Sequence, residues 1–91
     1  MKARIYKADG TIIETAPANG TDFQLEELQK IVGGYIEIVS LLDNEIMVIN
    51  EEGKLADLPI NENATEIYNE ADGFYDYIVG DVLVCDNSMV L

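Results

Sequence analysis

Apolar and polar positions along this chain fall into short blocks whose period switches between two and about three and a half. Residues 3–7 and 11–15 are β-rich, and Ala8-Asp9-Gly10 between them holds the Asp-Gly pair that tight hairpins favour. The pattern predicts a hairpin with Ile5 and Ile12 on one face. A loop containing Pro17, Asn19 and Gly20 follows. Thr21-Asp22-Phe23-Gln24 has the form of a capping box, which predicts a helix beginning at Thr21. Leu25, Leu28, Ile31 and Val32 form its apolar stripe, and Gly33-Gly34 stops it by offering a left-handed C-terminal residue.

Strand periodicity returns in residues 35–39, where Ile36 and Ile38 oppose Tyr35, Glu37 and Val39. Leu42-Asp43-Asn44-Glu45 suits a turn into a second strand over 46–50, and Asn50-Glu51-Glu52-Gly53 suits another turn. Residues 55–59 read as irregular, because Pro59 disfavours helix just before it. A second short helix is predicted from about Glu62 to Ala71, capped by Asn61 or Asn63, with Ala64, Ile67, Tyr68 and Ala71 on one face. Residues 77–85 are the most apolar strand, with apolar side chains at both parities, as a strand covered on both faces requires. The order ββαββαβ predicts an α+β fold, a mainly antiparallel sheet or small open barrel with two short helices, in a single domain over residues 1–91.

A chain of 91 residues buries only about 60–65% of its unfolded surface, so function is expected at a groove, an edge or an interface rather than deep inside. Charge narrows the partners. Eighteen acidic against five basic residues give −13, and no basic residue follows Lys54. Nucleic-acid backbones and anionic membranes are disfavoured, since both are bound by Lys and Arg; a basic protein surface is allowed. The longest apolar stretch, 77–85, falls short of the roughly 20 residues that span a bilayer and contains Asp81. Basic residues at 1–7 have no apolar stretch behind them, so no secretory signal is expected. One cysteine, Cys85, lies in an apolar run and reads as a buried hydrophobe; a single cysteine cannot form an intrachain disulfide, so the cytoplasm is the expected compartment.

Absences weigh on chemistry. Without histidine, the Ser-His-Asp arrangement and Cys/His metal sites cannot be built, and Gly33-Gly34 follows a helix where a phosphate loop would precede one. The carboxylates do not follow the spacing of a calcium-binding loop. No enzyme, cofactor or metal site is therefore expected. One stretch is distinctive: Tyr68, Phe74, Tyr75 and Tyr77 interleave with Glu70, Asp72 and Asp76, an acidic and aromatic composition suited to docking a protein partner.

Four segments carry a resemblance. They are Leu25-Glu26-Glu27-Leu28-Gln29-Lys30-Ile31-Val32-Gly33-Gly34-Tyr35-Ile36-Glu37, Val48-Ile49-Asn50-Glu51-Glu52-Gly53-Lys54, Leu58-Pro59-Ile60-Asn61 with Ala64-Thr65, and Ile78-Val79-Gly80-Asp81-Val82-Leu83-Val84. In this order they are similar to the DUF3846 family, small domains found in phages, mobile elements and gut bacteria. The resemblance implies an accessory protein of mobile DNA or its host, and no catalytic residue. Two expectations follow. The first is a non-enzymatic binding protein that docks on a basic surface of a DNA-handling partner through Tyr68, Glu70, Asp72, Phe74, Tyr75, Asp76 and Tyr77. The second is a small-ligand-binding domain acting as a homo-oligomer, with Asn50, Glu51, Lys54 and Asn61 lining its site.

Overall fold

The most apolar strand is the central one. In the computed structural model, which describes residues 3–72 and 76–90 (Asp72 by its backbone alone), five strands form one open antiparallel sheet. They are β1 (Ala3–Tyr6), β2 (Ile12–Thr15), β3 (Ile36–Ser40), β4 (Glu45–Asn50) and β5 (Val82–Asp86), in the spatial order β2-β1-β5-β4-β3. Helix α1 (Leu25–Val32) links β2 to β3, α2 (Glu62–Asp72) links β4 to β5, and a 3-10 turn over Asn87–Met89 ends the described chain. The ββαββαβ order and the α+β class are as the periodicity predicts. Between the two closures left open by the sequence, the sheet is not a barrel: β2 and β3 are its edges.

Each sheet face carries one helix. Ala3, Ile46, Val48, Leu83 and Cys85 point to the face where Leu28 and Val32 of α1 pack, joined by Phe23 and Met89. Met47, Val82 and Val84 point the other way, onto Ala64, Ile67 and Tyr68 of α2. Both parities of β5 are thus consumed, which explains its unbroken apolar run. Leu83, Met47 and Val48 are fully buried, and truncating Leu83 to Ala is worth about 2–5 kcal/mol.

Three details depart from the sequence pattern, each for a local reason. The first hairpin pairs Ile5 with Ile13 and Tyr6 with Ile12, so Ile5 and Ile12 lie on opposite faces. The Lys7 N–H donates to Thr11 O across the expected Ala8-Asp9-Gly10 turn, and pairing counted from that closure sets Ile5 opposite Ile13. Helix α1 begins four residues later than Thr21, with Gln24 at its N-cap and its N–H donating to Glu27 Oε2. Thr21 is diverted because its N–H and that of Asp22 both donate to Asn19 Oδ1, while the Phe23 N–H donates to Met89 O and anchors a buried ring. Leu25, at the resulting first helical position, is left exposed. Gly33 does end the helix, at φ 82° and ψ 24°.

The last expected strand, 77–85, is two segments. Gly80 breaks it at φ 76°, where a β-carbon would also lie 2.8 Å from Leu58 Cδ1. The Ala8 N–H then donates to Asp81 Oδ1, and β5 proper starts at Val82. Upstream of the break, Val79 makes an isolated antiparallel bridge with Ile60. Of the two caps the sequence offers for α2, Asn61 is the one used, its Oδ1 accepting from the Ala64 N–H at 3.0 Å. Among the described residues, no helix is long and apolar enough to cross a membrane.

Candidate functional site

The residues around Asn50 and those around Tyr77, separate in the chain, form one cleft. Asn50 ends β4 and turns the chain out of the sheet: its Oδ1 accepts from the Glu52 N–H, its main-chain O from the Gly53 N–H, and its Nδ2 donates to Val32 O. Residues 51–57 then coil in helix-like turns, closed by Asp57 at φ 59°. That coil carries Glu51, Lys54 and Leu55 to one wall.

The opposite wall is the segment that leaves α2. Asn69 Oδ1 accepts from the Asp76 N–H and Thr65 Oγ1 from the Ile78 N–H, so two α2 side chains hold the backbone of 76–78. The Asn61 N–H donates to Ile78 O, and the Gly80 N–H to Pro59 O. Tyr68 of α2, Asp76 and Tyr77 are thereby turned toward the coil. Val39, Ile49, Ile78 and Val79 make an apolar lining, and Glu37 of β3 stands at the strand side. The cleft has a volume of about 180 Å³.

Three carboxylates (Glu37, Glu51, Asp76) face one ammonium in this cleft. Lys54 Nζ lies 2.8 Å from Asp76 Oδ1 and 4.2 Å from the centroid of the Tyr77 ring. A cation is therefore held between a carboxylate and an aromatic face, a pairing worth about 0.5–1 kcal/mol at exposed sites for the ring alone. The hydrogen bond from Lys54, helped by one from the Tyr77 N–H, holds the Asp76 carboxyl below its ordinary range, and the same bond raises Lys54. Both side chains are about half exposed, 47% and 48%, so water screens the pair and its net contribution to stability is small.

The site residues expected from sequence divide as follows. Tyr68, Asp76 and Tyr77 from the first set join Asn50, Glu51 and Lys54 from the second in the single cleft. Glu70 stands on the exposed side of α2, beside Arg4, Tyr6 and Glu45 rather than in the cleft. Phe74, Tyr75 and the Asp72 side chain lie outside the described residues. Asn61 sits apart, 1% exposed, its Nδ2 donating to Tyr6 O and Gly80 O at 2.8 Å each while its Oδ1 caps α2. Its amide is spent on the fold. Glu37, Val39 and Leu55 were not singled out from sequence. For Glu37 one signal exists, a charge on a strand whose other positions, Ser40 aside, are apolar, but only the strand order puts it beside the coil.

A sequence model of the DUF3846 family, described as a domain of unknown function, matches residues 1–89. The chain belongs to that family. The match takes in every cleft residue, so the cleft lies within the DUF3846 domain itself. No curated protein and no solved structure gives a significant match. Cys85, the one thiol of this DUF3846 chain, is buried in β5, and burial pushes it up to about 11. Among the described residues, no three Cys, Asp or Glu side chains gather closely enough to hold a metal ion.

Proposed function

We propose that this DUF3846 protein is a non-enzymatic binding module that docks through its cleft on a basic protein surface. The supporting observation is the cleft's make-up: Tyr68 and Tyr77 beside Glu37, Glu51 and Asp76, with a lysine already seated between Asp76 and the Tyr77 ring. The chain's net charge of −13 favours the same class of partner, speeding encounter more than it adds affinity. A DNA-handling protein in the cytoplasm is the basic partner that the family's setting in mobile elements suggests.

The runner-up, a small-ligand domain working as an oligomer, draws on the same cleft. Its volume of about 180 Å³ argues for a side chain over a free ligand, since small-molecule pockets run to roughly 300–1,000 Å³. Affinity capture from native lysate tests the reading, comparing the parent with an Asp76→Lys/Tyr77→Ala double variant that retains cooperative unfolding. Basic proteins captured by the parent and lost from the variant are the expected result. Capture of the same proteins by both, or of acidic proteins only, refutes it.

A further inference from the structure

The cleft opens beside β3, and β3 is an edge. Its main-chain parity follows from its two ends. The Leu41 N–H donates to Glu45 O, and Tyr35 O accepts from the Glu51 N–H. In an antiparallel pair, hydrogen-bonded and non-hydrogen-bonded residue pairs alternate. Glu37 and Val39 therefore bond inward to β4 opposite Ile49 and Met47, while Ile36, Ile38 and Ser40 turn their N–H and C=O groups outward. Among the described residues, β3 pairs with β4 alone. The edge carries a single charge, Glu37, on the cleft side, and no Pro or Lys, and Ile38 is 46% exposed.

Side chains alternate across the strand in the complementary sense. Glu37 and Val39, whose main chain bonds inward, put their side chains on the cleft. A strand added outside β3 would run about 4.8 Å away. Its residue opposite Glu37 would bring its β-carbon to within about 5 Å of that of Glu37, on the cleft side of the sheet. A lysine or arginine there points toward Glu37, Glu51, Asp76 and the ring of Tyr77. The Lys54 ammonium, 2.8 Å from Asp76 and 4.2 Å from the ring centroid, marks where such a cation sits.

Resting on the basic-surface reading above, we infer that the partner presents an extended lysine- or arginine-bearing segment, which adds to the sheet as a sixth strand along β3. One basic side chain of that segment enters the cleft and competes with Lys54 for Asp76 and Tyr77. Main-chain bonds to Ile36, Ile38 and Ser40 supply affinity, and the acidic cleft supplies selection. Charge complementarity commits the site to a basic segment rather than to a second copy, because two chains of −13 repel along a shared edge.

The probe is the acetylated, amidated octapeptide of four Thr-Lys repeats, with a Thr-Glu octapeptide as control. Two analogues are N-methylated at every threonine or at every lysine. Binding is followed by fluorescence anisotropy and by amide exchange of the labelled protein. The Thr-Lys peptide should bind and slow exchange at Ile36, Ile38 and Ser40, and the Thr-Glu peptide should not bind. One methylated analogue should lose tenfold or more while the other binds as the parent peptide does, since only one phase faces β3. On the protein side, Ile38→Pro removes an outward-facing N–H. It should keep cooperative unfolding and lose binding tenfold or more; if it fails to fold, the methylated peptides still decide the matter. Equal binding of both analogues, without amide protection, overturns strand addition while leaving the basic-surface reading standing. Failure of every basic peptide overturns both. Protection of the three amides in the protein alone, with self-association, makes the occupant a second copy and overturns the inference.

Discussion

Asn61→Ala tests how three separate parts of this fold are tied by one side chain. The Asn61 amide caps α2 through the Ala64 N–H and donates to Gly80 O and Tyr6 O, which ties the helix to the loop before β5 and to the end of β1. Loss of the cap is worth about 1 kcal/mol. The Gly80 carbonyl is buried and loses its partner, at about 1–3 kcal/mol, whereas the Tyr6 carbonyl is partly exposed and recovers water, at about 0.5–1 kcal/mol. The sum is about 2.5–5 kcal/mol, a large share of the roughly 5–15 kcal/mol typical of a domain. Urea unfolding at neutral pH reads it directly. Asn61→Asp sharpens the test: it keeps the capping oxygen but sets a carboxylate against two carbonyl oxygens. Burial and repulsion raise the folded pKa of that carboxyl above its unfolded value of about 3.9. The stability of the neutral form is complete below that unfolded value and is lost as pH rises through the folded one. Relative to the parent, Asn61→Asp should therefore gain stability on acidification from neutral pH. An Ala variant that loses under about 1 kcal/mol, or an Asp variant whose deficit does not change with pH, refutes the account.

Gly33→Val should destabilise by about 1–3 kcal/mol, because φ 82° is strained for a β-branched residue, although nothing lies within 4 Å of the added carbon. Gly34→Val acts differently: its β-carbon would sit 3.1 Å from Asn50 Nδ2, so it should disturb the Asn50 bond to Val32 O and the cleft coil, which urea unfolding and amide shifts at residues 51–54 will separate. Cys85 should resist alkylation by iodoacetamide at pH about 8 until the protein unfolds, since its thiol is buried and pushed up to about 11. Stability should fall above pH about 9, where the unfolded thiol ionises and the folded one does not, and an absence of any such loss would mean that Cys85 is not buried as described. Duplex DNA should give no gel shift at micromolar protein and physiological salt, and a shift that weakens steeply with salt would expose a basic face.

The elements are legible in the local pattern, because their causes are local. Period-two alternation in β3, the stripe of Leu28, Ile31 and Val32, the left-handed Gly33 and the two-sided run in β5 each depend on neighbours within a few positions. Where local signals competed, pairing chose: the three-residue turn put Ile5 across from Ile13, and the tie between Phe23 and Met89 moved the start of α1. The cleft was half legible. Its aromatic and acidic wall and its Asn50–Lys54 wall each stood out in the chain, but as rivals. Only the order β2-β1-β5-β4-β3, with α2 laid over the β4 face, brings Lys54 to Asp76 and Tyr77, and sets Glu37 beside them. Asn61 shows the reverse: a polar residue in a turn reads as available, and burial spends it. Which side chains meet across twenty or more residues is decided by which strands share edges, and that choice is made by the summed burial of both sheet faces rather than by any one segment.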